Sequence, residues 1–199
     1  MRLSRKAVLA AGLLVVPFVA SAESNFVSTG SANAKLDFRI VIPRVIYLRV
    51  GSGTAMADDP TVDTITFDVP AATLGNGTPV NATAASGDLG NGAVTARVFG
   101  NNGTVALNAT TGGPLGKGAG DTISYSTILT TASVLSTPIM LDAPTLADGV
   151  SGTVTLTPAT GKIVNRDARW TYTYQNSVMV EEGLYGTTNG TVTYTAAMP

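Results

Sequence analysis

The chain contains neither cysteine nor histidine. Without cysteine it has no disulfide staple and no thiolate nucleophile. Without histidine it lacks the commonest general base and the commonest metal ligand. A Ser-His-Asp triad, a Cys-His dyad and a His-based zinc site are therefore all excluded. Charge is sparse as well: 13% of residues are charged, with 12 basic against 13 acidic. Beyond the first six residues the basic charges are scattered singly, which argues against a nucleic-acid surface, since that would show a basic patch. Aromatics make up 6%, with a single Trp. No segment sustains a 3.6-residue apolar period, and Gly and Thr interrupt every candidate helix.

What the chain does have begins at its N-terminus. Met1-Arg2-Leu3-Ser4-Arg5-Lys6 is a basic start, Ala7 to Val19 is apolar, and Ala20-Ser21-Ala22 is a small-x-small site. This order predicts a secretory signal peptide cleaved after Ala22. The apolar run, with Pro17 inside it, is short beside the ~20 residues that a bilayer span needs. No membrane span is expected once the peptide is removed. Losing Arg2, Arg5 and Lys6 takes the formal charge from −1 to −4. The remaining length, about 177 residues, suits one domain with a sizeable core.

The most regular stretch is Lys35–Gly51, KLDFRIVIPRVIYLRVG. Leu36, Phe38, Ile40 and Ile42 alternate with Asp37, Arg39 and Val41, and Ile46, Leu48 and Val50 take up the pattern beyond Arg44. A period of two is the signature of a half-buried β-strand. Pro43 cannot donate to a ladder, so it splits the run into two strand segments or marks an edge.

Further strands follow between turn signals. Thr61 to Val69 places Ile65, Phe67 and Val69 on one face. Residues 71–92, rich in Ala, Gly, Asn and Thr, read as a long loop or a weak strand between turns. Ala93 to Phe99 and Thr104 to Ala109, joined by Gly100-Asn101-Asn102-Gly103, read as a hairpin. Asp121 to Ser133 alternates in its first half. Val134 to Asp148, with Pro138 and Pro144, is expected to cover an edge or cross between sheets. Val150 to Leu156, Arg169 to Val180 and Thr191 to Ala196 complete the set, with Trp170, Tyr172 and Tyr174 on one face. Many short strands with frequent turns predict an all-β, antiparallel sandwich or barrel, and the long uneven loops favour the sandwich. A single domain over 35–199 is expected, behind a lead-in at 23–34.

Little in the chain points to chemistry. A carboxylate pair is the enzymatic option left open, but the acids lie scattered in turns and only one Trp could serve as a sugar platform. No catalytic residue, cofactor or metal is expected. Asp58, Asp59 and Asp63, or Gly87 to Asn91, could supply some Ca²⁺ ligands, but the spacing departs from an EF-hand loop and turn-forming Asp is the simpler reading. Five Asn-x-Thr triplets, at Asn76, Asn81, Asn102, Asn108 and Asn189, are taken as surface turn markers. A Lys–Asn crosslink would need Lys35, Lys117 or Lys162 buried beside an Asn and a carboxylate. Arg166, Asp167, Arg169 and Trp170 form the densest polar-aromatic group, readable as a binding site or as a strand start around a core Trp.

A leader, then LDFRIVI (36–42), Pro43 and VIYLRVG (45–51), then Thr/Gly-rich strands without cysteine, then Gly183-Leu184-Tyr185 and Gly190-Thr-Val-Thr-Tyr194: this order resembles subunits of chaperone–usher fimbriae. It is most similar to their cysteine-free CFA-type or related alternative branch. The resemblance implies an immunoglobulin-like sandwich that lacks one strand, completed by the N-terminal extension of the next subunit. Leu36, Phe38, Ile40 and Ile42 would then be the pocket-filling positions of β-strand addition. It also implies partners: copies of the chain or related subunits, a periplasmic chaperone and an outer-membrane usher. The chain would pass through the periplasm to the cell surface or a fimbrium. The alternative is a stand-alone secreted sandwich that binds a glycan or protein through its loops.

Overall fold

A computed structural model describes residues 24–199; the expected signal peptide lies outside the described residues. Among these, ten strands form: β1 (Ile46–Val50), β2 (Val80–Asn81), β3 (Ala93–Gly100), β4 (Val105–Thr111), β5 (Leu115–Gly116), β6 (Thr122–Ile123), β7 (Ile128–Ser133), β8 (Val154–Leu156), β9 (Val164–Tyr174) and β10 (Val192–Ala197). All pairings between them are antiparallel. Short 3-10 turns at Ala71–Thr73 and Tyr125–Thr127 supply the helical residues among those described. Pro43–Pro199 is one compact unit, and residues 24–42 fall outside it.

The first sheet is built on β9. Its residues 164–171 pair with β3, and its residues 169–174 pair with β7. The overlap places β3 and β7 on opposite edges. β2 meets residues 173 and 174, where β7 already occupies one edge, so it continues the β3 side. β1 closes that side by pairing with β3, Ile46 opposite Gly100 and Val50 opposite Ala96. The second sheet runs β10-β4-β8. β5 and β6 form a small separate ribbon.

Alternation decides which side chains meet between the sheets. Val94, Ala96 and Val98 of β3 are buried, as are Ala168, Trp170 and Tyr172 of β9, and Val105, Leu107 and Ala109 of β4. These form one core with Leu141, Leu146, Leu156 and Tyr125. Burying a Leu- or Val-sized side chain contributes roughly 1.5–3 kcal/mol, so this shared face is the main source of stability. The indole of Trp170, the only Trp, is fully buried, and its N–H donates to the Leu141 carbonyl at 2.8 Å. The architecture is thus a β-sandwich-like stack of antiparallel sheets.

Several sequence expectations change in detail. The segments 93–99 and 104–109 do form strands, but they do not pair as a hairpin. β3 pairs with β1 and β9, while β4 pairs with β10 and β8. Both strands present an apolar face to the core, and stacking those faces from opposite sheets buries both, which a flat hairpin would not. The turn between them is an arch: Gly103, at φ 102°, donates its N–H to Lys162.

Thr61 to Val69 keeps its alternation, with Ile65 and Phe67 against the core, yet it forms no ladder. Its amides and carbonyls are instead met singly, Thr66 by Thr83 and Ser86, and Thr64 by Gly87. The last long strand begins at Val164 rather than Arg169 and ends at Tyr174. The region 134–148 does cross between sheets: the Leu141 N–H donates to Asp167 on β9, while the Thr111 hydroxyl of β4 donates to the Ala147 carbonyl.

Candidate strand-exchange site

The four alternating positions before Pro43 are all highly exposed: Leu36 76%, Phe38 86%, Ile40 85% and Ile42 77%. Residues 31–42 form neither helix nor strand. Four large apolar side chains in water, at strand spacing, constitute an unsatisfied strand face. The equivalent positions past Pro43 behave differently. Leu48 and Val50 pack against the core from β1.

The compact unit has open strand edges of its own. β10 is the outer strand of its sheet, with Val192 to Ala197 laddered to β4 on one side. Its other side makes no backbone hydrogen bond among the described residues. Among the described residues β1, outermost in the first sheet, likewise pairs only with β3, and β1 and β10 lie close together. The in-facing residues Leu48 and Val50 of β1 and Val192, Tyr194 and Ala196 of β10 are only half-buried, whereas Val105, Leu107 and Ala109 of the neighbouring β4 are buried. The core is therefore thinly covered along the margin where the two sheets end.

The β3–β4 arch organises this margin. The Asn101 side chain accepts from Val45 N–H at 2.8 Å and donates to the Pro43 carbonyl at 2.8 Å, while its own N–H donates to the Val45 carbonyl at 3.3 Å. Arg44 donates to the Met198 carbonyl at 2.7 Å, and Asn102 donates to that of Pro199. On the core side Tyr194 is held firmly. Its ring lies 5.4 Å from that of Trp170, and its hydroxyl meets that of Tyr172 at 2.8 Å. Burial raises both phenols, Tyr194 to about 12.

The other candidates from sequence serve the fold. Asp59 accepts from Thr61 N–H, and Asp63 receives the Ser52 amide and hydroxyl. Asp88 accepts from Thr95 N–H and pairs with Arg49 at 3.2 Å. No cluster of three potential metal-binding side chains occurs among the described residues. Lys117 pairs with Glu181 at 2.7 Å, and this carboxylate holds the ammonium above its ordinary pKa, opposite to what a nucleophilic crosslinking amine needs. Asn76 caps a turn by accepting from Thr78, but Asn108 sits within β4 opposite Thr195, so it marks no turn.

The RDARW group divides in two. Trp170 enters the core, and Asp167 faces the other way beneath the crossing segment. Burial alone would raise the Asp167 pKa. The Ser136 and Thr137 hydroxyls and amides all donate to its carboxylate and outweigh that effect, holding it at about 2. Sequence reasoning missed this knot, since Ser136 and Thr137 lie some thirty positions away. It missed Asn101 too, which looked like an ordinary turn residue. An open depression beside the start of β10, lined by Thr110, Gly112, Asn189 and Thr193 among others, carries no charged or aromatic group.

No protein-family model, curated protein or solved structure matches this chain.

Proposed function

We propose that this chain is an exported structural subunit of a fimbria or similar surface filament, assembling by β-strand exchange. The sandwich is immunoglobulin-like and incomplete along β10, and residues 36–42 of a second copy complete it. The observation that carries the reading is the pairing of surplus and deficit. One segment exposes Leu36, Phe38, Ile40 and Ile42, while β10 has an unpaired edge above a thinly covered core. Strand addition would satisfy both through main-chain hydrogen bonds and alternate side chains. A bare edge of this kind invites aggregation in transit, so a periplasmic chaperone would guard it until an outer-membrane usher presents the next subunit. No catalytic step is involved, and no cofactor is required.

The test is removal of residues 23–42 from the exported protein. The truncated subunit is expected to fold, to be capped by a neighbour's segment, and to end the chain, leaving no SDS-resistant polymer of the variant alone. Polymers of normal length from the truncated protein would overturn the proposal. A full-length protein that stays monomeric without any chaperone would instead favour the stand-alone binding module.

A further inference from the structure

Resting on that reading, a difficulty arises from proximity. A donor segment tethered to its own acceptor by a short flexible link competes at an effective concentration in the millimolar range. Against a second copy at micromolar concentration, the intramolecular partner would win by about 100- to 1,000-fold. Filament growth therefore needs something that stops residues 36–42 from filling their own sandwich.

The only chain between that segment and β1 is Pro43-Arg44-Val45. To lie along either β1 or β10 of its own unit, the segment must reverse direction within those three residues. Each of them is tied down. Both polar groups of the Asn101 side chain are spent on them, one accepting from Val45 N–H and one donating to the Pro43 carbonyl. The Asn101 main chain takes the Val45 carbonyl, so Val45 continues the β1–β3 ladder by one residue. The Arg44 guanidinium reaches the Met198 carbonyl, just past the end of β10. Chemistry adds to the restraint. Pro43 has no N–H with which to close a two-residue hairpin opposite Ile46. A three-residue loop would place β-branched Val45 at the position that favours a left-handed conformation, which it adopts poorly.

We propose that Asn101, with Arg44, is a clamp against self-completion: by tying Pro43–Val45 to the β3–β4 arch and to the end of β10 it commits residues 36–42 to a second copy of this chain. A link that cannot span reduces the effective concentration towards zero. The same arch that joins the two sheets thereby sets the partner.

The experiment compares the full mature protein with Asn101→Ala, and with a variant carrying six Gly/Ser residues inserted between Ile42 and Pro43. Readouts are SDS-resistant polymer at micromolar protein and hydrogen exchange of the amides of 36–42 in the monomer fraction. Both variants are expected to lose about tenfold or more of the polymer while the monomer's 36–42 amides become protected, independently of concentration. Should Asn101→Ala fail to fold, Asn101→Asp keeps an acceptor for Val45 but loses the donor to Pro43, and Arg44→Ala removes the second tie; they are read in the same way. The clamp is overturned if the Asn101 variants polymerise like the parent. It is equally overturned if their polymer falls while 36–42 stays unprotected, which is mere destabilisation. Failure of the filament reading shows separately, as a parent protein that forms no SDS-resistant polymer or whose polymer survives deletion of 23–42.

Discussion

Residues 36–42 and 46–50 carry the same alternation on either side of one proline, yet their fates differ. The second half is a paired strand whose Leu48 and Val50 pack on the core, while the first half stands in water with its apolar face unused. Periodicity specifies what a segment can do if it finds a partner. It does not specify where the partner is. The difference arises at the junction, where β3 supplies an edge as far as Asn101 and no further.

The most severe way to break this comparison is a charge on each half. Phe38→Asp is expected to abolish SDS-resistant polymer while leaving the melting temperature of the monomer unchanged within a degree or two. Leu48→Asp, by contrast, sets a carboxylate with no donor against the half-covered edge of the core and is expected to cost about 2–3 kcal/mol, read as a shifted urea midpoint. If Phe38→Asp destabilised the monomer as much, the first half would already be part of its own fold.

A milder pair sharpens the same contrast. Leu48→Ala is expected to cost about 1–3 kcal/mol, below the usual range for a fully buried Leu because the site is only half-covered. Leu36→Ala should change equilibrium unfolding by less than about 0.5 kcal/mol, as exposed substitutions do. Equal values for the two would mean that exposure in the monomer does not track contribution to stability.

How much of this was legible from sequence follows from the range over which each signal acts. The break at Pro43 was readable because proline lacks the donor that a ladder needs, and the shared face of Trp170, Tyr172 and Tyr174 in β9 was readable from alternation. The pairing of β3 with β4 was misread, since an Asn-Gly turn between two β-rich runs looks the same whether the chain folds flat or arches between sheets. Thr61–Val69 had the correct inward face but no ladder, because side-chain and turn residues at 83–87 meet its backbone instead. Asp167 and Asn101 were illegible as key residues because their partners lie far away in sequence.

A covered edge offers the counterpoint to the bare edge of β10. Where β7 ends, the other edge of β9 is sealed by Ser136–Leu141, with Asp167 as the anchor. Asp167→Asn is expected to cost about 2 kcal/mol at pH 7, since hydrogen bonds to a charged acceptor contribute roughly 1.5–3 kcal/mol. The pH dependence follows from the depressed pKa. The group's stabilisation is complete above the ordinary value of 3.8 and is lost as pH falls through the folded value of about 2. Acid unfolding of the parent should therefore steepen between pH 4 and 2, and the Asn variant should lose that component. An unchanged acid limb would assign the anchoring elsewhere.

The smallest expected effect concerns whether β10 is rigid before anything pairs with it. Tyr194 is fixed from the core side by the Trp170 ring and the Tyr172 hydroxyl, so β10 is in place while its outer edge is unpaired among the described residues. Tyr194→Phe deletes one neutral hydrogen bond and leaves the Tyr172 hydroxyl without that partner, a loss of about 0.5–1.5 kcal/mol. In the parent, burial raises the Tyr194 pKa against the opposing pull of the Tyr172 hydrogen bond, so the contribution of the buried neutral phenol is present below the ordinary value of 10 and is lost as pH climbs through about 12. Ultraviolet titration should accordingly show late-ionising phenols, with one fewer of them in the Phe variant. If every tyrosine instead ionised near 10 in the folded monomer, β10 would be loosely held, and an incoming strand would have to order the acceptor as well as itself. That would set the entropic cost of exchange against β10 as much as against residues 36–42.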